Sequence, residues 1–98
     1  MTTYTFSPID DGTNGTGATG INDLGQIVGG YSDSSGAHGF LYSDGTYTTI
    51  DDALGTSTIA YGINNAGQIA GQYTDSSGTL HGFLATPPAT TSYSRLLP

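Results

Sequence analysis

The chain has 98 residues, enough for one small domain, and only 9% of them are charged. All eight acids are Asp and the single base is Arg95, so the net charge is -7, which argues against nucleic acid or an anionic membrane as partner. The absence of Cys excludes disulfides and thiolate zinc sites, and the apolar runs are too short to insert in a bilayer. No charged start followed by an apolar core reads as a signal peptide. Leu, Ile, Val and Phe supply only 18 residues, few enough to suggest disorder in a charged chain. Seven Tyr add large rings, however, and the apolar residues recur at fixed places. The expectation is a folded domain with a thin core, which gains from a partner.

In chain order, Tyr4 to Ile9 reads as an N-terminal strand, with a Gly- and Thr-rich linker reaching residue 16. That linker precedes a strand and not a helix, so it is no phosphate cradle. A first strand ends at Ile21, and Asn22-Asp23-Leu24-Gly25 has the form of a type I turn closing into a bulge. Gln26 to Tyr31 forms the second strand, Asp33-Ser34-Ser35-Gly36 a turn, and His38 to Tyr42 the third strand. Asp44-Gly45 signals a hairpin, and Thr46 to Ile50 is the fourth strand, ending at Asp51-Asp52.

The same unit then returns. Residues 20–36 recur as residues 62–78, an offset of 42 with 12 of 17 positions identical, so that Asn64 and Gly67 repeat Asn22 and Gly25. After a one-residue insertion, His38-Gly39-Phe40-Leu41 recurs as His81-Gly82-Phe83-Leu84. Thr86-Pro87-Pro88-Ala89-Thr90 replaces the second hairpin, since two prolines cannot donate to a ladder, and Tyr93 to Leu97 is a loose copy of the fourth strand. With 16 Gly, 16 Thr and 10 Ser no segment keeps a helical apolar period.

The expected fold is all-β: two four-stranded antiparallel meanders plus an N-terminal strand, in one domain with repeats at 17–52 and 53–98. About 42 residues for four strands matches a propeller blade, typically about 40 to 45 residues. Two blades cannot close a ring of roughly four to eight. The chain is therefore expected to assemble into a ring, or to pack its meanders as a small sandwich, or to extend as an open array.

The string Gly-Ile-Asn-x-x-Gly-Gln-Ile-x-Gly followed by His-Gly-Phe-Leu resembles the HAF repeat family, bacterial repeats taken to be extracellular. His38-Gly39-Phe40 and His81-Gly82-Phe83 carry Gly where that family has Ala. The resemblance runs from Tyr4 to Leu84 and implies tandem β-rich units that are secreted or displayed at the cell surface. It implies no reaction, substrate or cofactor.

His38 and His81, being repeat-encoded, read as residues whose rings bond a neighbouring turn, because catalysis seldom needs a base in every repeat. Asp33 and Asp75 read as turn carboxylates that accept backbone N–H bonds, one Asp with two hydroxyls being poor in oxygens for calcium. A Ser-His-Asp set can be written, but no nucleophile elbow supports it. Tyr31 and Tyr73, ending the second strand of each unit, are candidates to stack on sugars. Asn22, Gly25, Asn64 and Gly67 are structural turn residues. No catalytic residue, metal or cofactor is expected. The expected function is non-catalytic self-assembly as a homo-oligomer; the alternative is a glycan or polar-ligand module with one shallow site per repeat, built on Tyr31, Asp33 and His38 and on Tyr73, Asp75 and His81.

Overall fold

The computed structural model describes residues 3–10 and 15–88, and within them every regular element is a strand. The first repeat forms a four-stranded antiparallel meander in the order β1-β2-β3-β4, from β1 (Gly15–Ile21), β2 (Ile27–Asp33), β3 (Gly36–Ser43) and β4 (Thr46–Ile50). The second forms a meander in the order β5-β6-β7, from β5 (Gly55–Ile63), β6 (Ile69–Asp75) and β7 (Leu80–Ala85). No helix among the described residues is long and apolar enough to cross a membrane.

Turn chemistry accounts for the register. Gly25 and Gly67 hold φ of +77° and +82°, and each donates its N–H to the carbonyl of the Asn three residues earlier. Asp44 and Gly45 both have positive φ, the signature of a two-residue hairpin turn matched to strand twist. The register shift falls at Ala18/Gly20 in β1 and at Ala60/Gly62 in β5, so the two repeats share even their irregularity.

Each repeat also lays an aromatic ring over a glycine. Gly29 faces Phe40 and Gly71 faces Phe83 across the ladder. A Cβ at Gly29 would run into the Phe40 ring and the Gly17 carbonyl, and one at Gly71 into the Phe83 ring and the Ile59 carbonyl. Phe40 is thereby only 1% exposed in a chain that has few large apolar side chains.

The sheets meet where β5 crosses the first sheet, packing against β1, β2 and β3 and, at its edge, β4. Val28, Ala60 and Ile69 form the core, with Leu41, Ile50, Ile63, Phe83 and Ala85 packed around them. Thr58, the buried polar residue there, accepts the Asp52 N–H through Oγ1 (3.3 Å), so its burial is compensated. The first sheet contributes its Val28–Leu41 face, while the second contributes the face of Ile69, Phe83 and Ala85. By repeat equivalence these are opposite faces of the unit. The contact is head to tail.

One expectation is corrected. Tyr4 to Ile9 is not a strand: residues 3–10 carry no ladder, Phe6 is 89% exposed, and the segment is tied at Asp10, whose N–H donates to Tyr47 Oη (2.9 Å). Pro8 lacks a ladder donor, and β4 already completes the first meander. The first strand also begins at Gly15, inside the expected linker. The strand expected at Tyr93 to Leu97 lies outside the described residues, as do Asp11 and the end of the Pro87-Pro88 connection.

Gly25→Ala should destabilise the domain by about 1 kcal/mol, because φ of +77° strains any residue with a Cβ. Thermal denaturation by circular dichroism measures this. An unchanged melting temperature would contradict the turn account.

Candidate functional site

In each repeat the second and third strands place a tyrosine opposite a histidine, Tyr31 facing His38 and Tyr73 facing His81. The rings lie 5.0 Å apart in both pairs, tilted by 30° and 26°. The adjoining hairpin turns carry the carboxylates. Asp33 Oδ1 accepts the Ser35 N–H (2.8 Å) and hydroxyl (2.7 Å); Asp75 Oδ1 accepts the Ser77 N–H (2.9 Å) and hydroxyl (2.7 Å) and the Thr79 N–H (3.0 Å). Tyr31, Asp33 and His38 thus come together, as do Tyr73, Asp75 and His81, one cluster in each sheet.

The first cluster is the more extensive. His38 Nε2 lies 3.0 Å from Asp33 Oδ1 and 2.9 Å from Ser35 Oγ, while Nδ1 lies 2.8 Å from Asp51 Oδ2. Tyr31 Oη meets Thr49 Oγ1 at 3.0 Å. In the second cluster His81 Nε2 meets Asp75 Oδ2 at 2.8 Å. The bond to Asp51, with a further contribution from Asp33, raises the His38 pKa against the effect of burial. The Ser35 hydroxyl and N–H, with His38, hold Asp33 down to about 2. Ser77, then His81 and the Thr79 N–H, hold Asp75 well below the usual carboxylate range.

Ser35, His38 and Asp51 are connected in the order of a nucleophilic triad, but a second carboxylate, Asp33, faces the same Nε2. The Ser35 hydroxyl is within bonding distance of a carboxylate, and the same carboxylate faces His38 Nε2. A doubly protonated ring, the form that the raised His38 pKa favours, would donate to both Asp33 and Asp51; only the singly protonated ring could take the Ser35 proton. The cluster acts as a charge bridge between the β2–β3 turn and the end of β4. Asp33 and Asp51 approach opposite nitrogens of the ring, and no group of three His or Asp among the described residues could hold a metal ion.

The two repeats are also hydrogen-bonded to one another at the Asn turns. Asn22 donates from Nδ2 to the Asn64 carbonyl (2.9 Å), the Asp23 N–H to Asn65 Oδ1 (2.8 Å), and Asn65 Nδ2 to Asp23 Oδ2 (2.9 Å). Thr19 Oγ1 lies 2.7 Å from the Ala60 carbonyl. Asn22/Asn64 and Asp23/Asn65 are pairs 42 residues apart, so each residue meets its own counterpart. Asn22 and Asn64 also each accept two N–H bonds within their own turn, from Leu24 and Gln26 and from Ala66 and Gln68. Asp51, Asp23 and Asn65 escaped the sequence reading as partners. The only signal for Asp51 was the Ile-Asp-Asp string, which there reads simply as a strand end.

The charge bridges make stability depend on pH in both directions. His38 binds its proton more tightly when folded, so its contribution is complete below its ordinary value of 6.5 and is lost as pH rises through the raised value. Asp33 and Asp75 contribute above the ordinary 3.8 and lose that contribution as pH falls, for Asp33 through about 2. Melting temperature should therefore peak between these limits, and His38→Gln should flatten the alkaline limb. An alkaline limb unchanged in His38→Gln would refute the bridge.

No protein-family model, curated protein or solved structure matches the chain, which leaves the repeat and the joint between its copies to carry the functional reading.

Proposed function

We propose that this chain is a non-catalytic, extracellular β-repeat module that works by assembling with copies of itself. One observation carries the reading. Ile63 and Leu41 pack against the core at the joint, while their repeat counterparts Ile21 and Leu84 are 66% and 64% exposed. Part of each half of the joint formed once inside the chain, at Ile21 and at Leu84, is thus left exposed at the opposite end. A contact between unlike faces does not use itself up, as a two-fold contact would. It gives a ring if the rotation closes and a filament if it does not. A propeller-like ring is favoured over a filament: three or four copies would supply six or eight blades, within the roughly four to eight that close.

The extracellular placement rests on the resemblance to HAF repeats. The glycan alternative draws less support, since Tyr31 and Tyr73 already stack on His38 and His81 and the Tyr31 hydroxyl is paired with Thr49.

Sedimentation equilibrium across a wide concentration range should give a mass several times that of one chain. Ile21→Asp and Leu84→Asp should each lower it, because each forfeits roughly 1.5–3 kcal/mol of apolar burial at the joint. A species of single-chain mass at every concentration would overturn assembly.

A further inference from the structure

Resting on that reading, we infer that a second copy docks in the same 42-residue register as the internal joint, its β1 and Asn22–Asp23 turn seated on the outer face of the second sheet and on the Asn64–Asn65 turn. The register follows from three places where the two repeats differ or are left open.

The first is a volume exchange. Within the chain, β5 crosses the first sheet at Gly30, where a Cβ would lie 3.4 Å from Ile59 Cγ2. The counterparts of Gly30 and Ile59 are Gln72 and Gly17, as both ladders show by pairing Gly17 with Gly30 and Ile59 with Gln72. The internal joint sets a small residue against a large one. Between copies, in the same register, the large residue is Gln72 and the small one is Gly17 of the second copy. The side on which the bulk sits has changed, while the joint still combines one large and one small residue.

The second is a glycine that the chain itself does not require. A Cβ at Gly20 would lie 3.0 Å from the Tyr61 carbonyl and 3.2 Å from Gly62 Cα, so β5 presses on that position. Its counterpart Gly62 has nothing within 4 Å among the described residues. A second copy in register brings its own β1 to the counterpart place and meets a glycine there.

The third is the polar rim. Asn64 holds Gln68 through Nδ2 as Asn22 holds Gln26, and its second amide hydrogen has the direction that Asn22 uses toward the Asn64 carbonyl. In register it reaches the Asn22 carbonyl of the second copy. The Asn65 N–H and Nδ2 then face the Asp23 carboxylate of the second copy. Two Asp at these counterpart positions would set carboxylate against carboxylate at every joint. With Asp23 and Asn65, each joint of a ring sets one carboxylate against one amide, inside the chain and between chains alike.

Five proteins test the register by sedimentation and thermal melting: the natural chain, Gly17→Ile, Gln72→Gly, the double variant and Gln72→Trp. A Cβ at Gly17 has nothing within 4 Å among the described residues, so Gly17→Ile should fold and melt like the natural chain. Its assembly should weaken about tenfold or more, from overpacking against Gln72. Gln72→Gly in the same chain should restore assembly by recreating the internal Gly–Ile pairing. Gln72→Trp, crowding the joint from the other side, should weaken assembly even if Gly17→Ile fails to fold. Unchanged assembly in both Gly17→Ile and Gln72→Trp, or no recovery in the double variant, would overturn the register and leave assembly standing. A natural chain of single-chain mass throughout would overturn both, and would mean that the bare face is covered by its own chain or by a different protein.

Discussion

The structure depends on how closely β5 can approach the first sheet. The chain has few large aliphatic side chains, and a small sheet needs a hydrophobic face or a packing partner for stability. Small residues at Gly20, Gly30 and Gly39 let the backbone of β5 come down on the sheet, with Ala60 N only 3.3 Å from where a Gly39 Cβ would be. At that separation Thr19 bonds the Ala60 carbonyl directly. The approach brings Ile69, Phe83 and Ala85 down on Val28, Leu41 and Ile50. A chain poor in large aliphatic residues thus builds its core by closeness and not by bulk.

The aromatic–glycine pairs solve the same shortage within each sheet. Phe40 over Gly29 and Phe83 over Gly71 fill the space that a β-branched pair would otherwise occupy, and the missing Cβ admits the ring. The His-Gly-Phe and Ile-x-Gly strings belong to one device. His38 belongs to another: it ties the turn carboxylate Asp33 to Asp51 at the end of β4, while His81 bonds the turn carboxylate Asp75, in a chain where a disulfide is impossible for want of Cys. Asp33 and Asp75 are held below the ordinary carboxylate range chiefly by Ser35 and Ser77 of their own turns, with His38 and His81 adding to it.

A joint made from unlike faces has a consequence for behaviour in solution. Apolar groups equivalent to those that hold the second repeat on the first are exposed at Ile21 and Leu84. The internal joint forms at the effective concentration of a tether, whereas a joint between chains requires encounter and loses overall freedom. Under the proposed assembly, the same contacts would give a permanent internal joint and a concentration-dependent external one. Net charge of -7 on each copy opposes crowding, so assembly should strengthen with salt.

Local chemistry, legible in residue order, determined the strands and turns. Asn-x-x-Gly set the paired turns, Asp-Gly the hairpin and the 42-residue offset the duplication, because turn geometry is decided within four residues. Tyr4 to Ile9 misled for the complementary reason: a strand needs a neighbour, and no pattern inside the segment says whether one is free. The clusters were legible in part, since Tyr31, Asp33 and His38 are near in sequence and are gathered by one hairpin. Asp51 on His38, Asn65 on Asp23 and Ile59 over Gly30 belong to tertiary structure alone. Asp51 reaches His38, 13 positions away, through the pairing of β4 with β3, while the other two join residues 42 and 29 positions apart, across a joint whose angle depends on how closely two backbones pass, and that distance is a property of the folded pair of sheets and of neither repeat by itself.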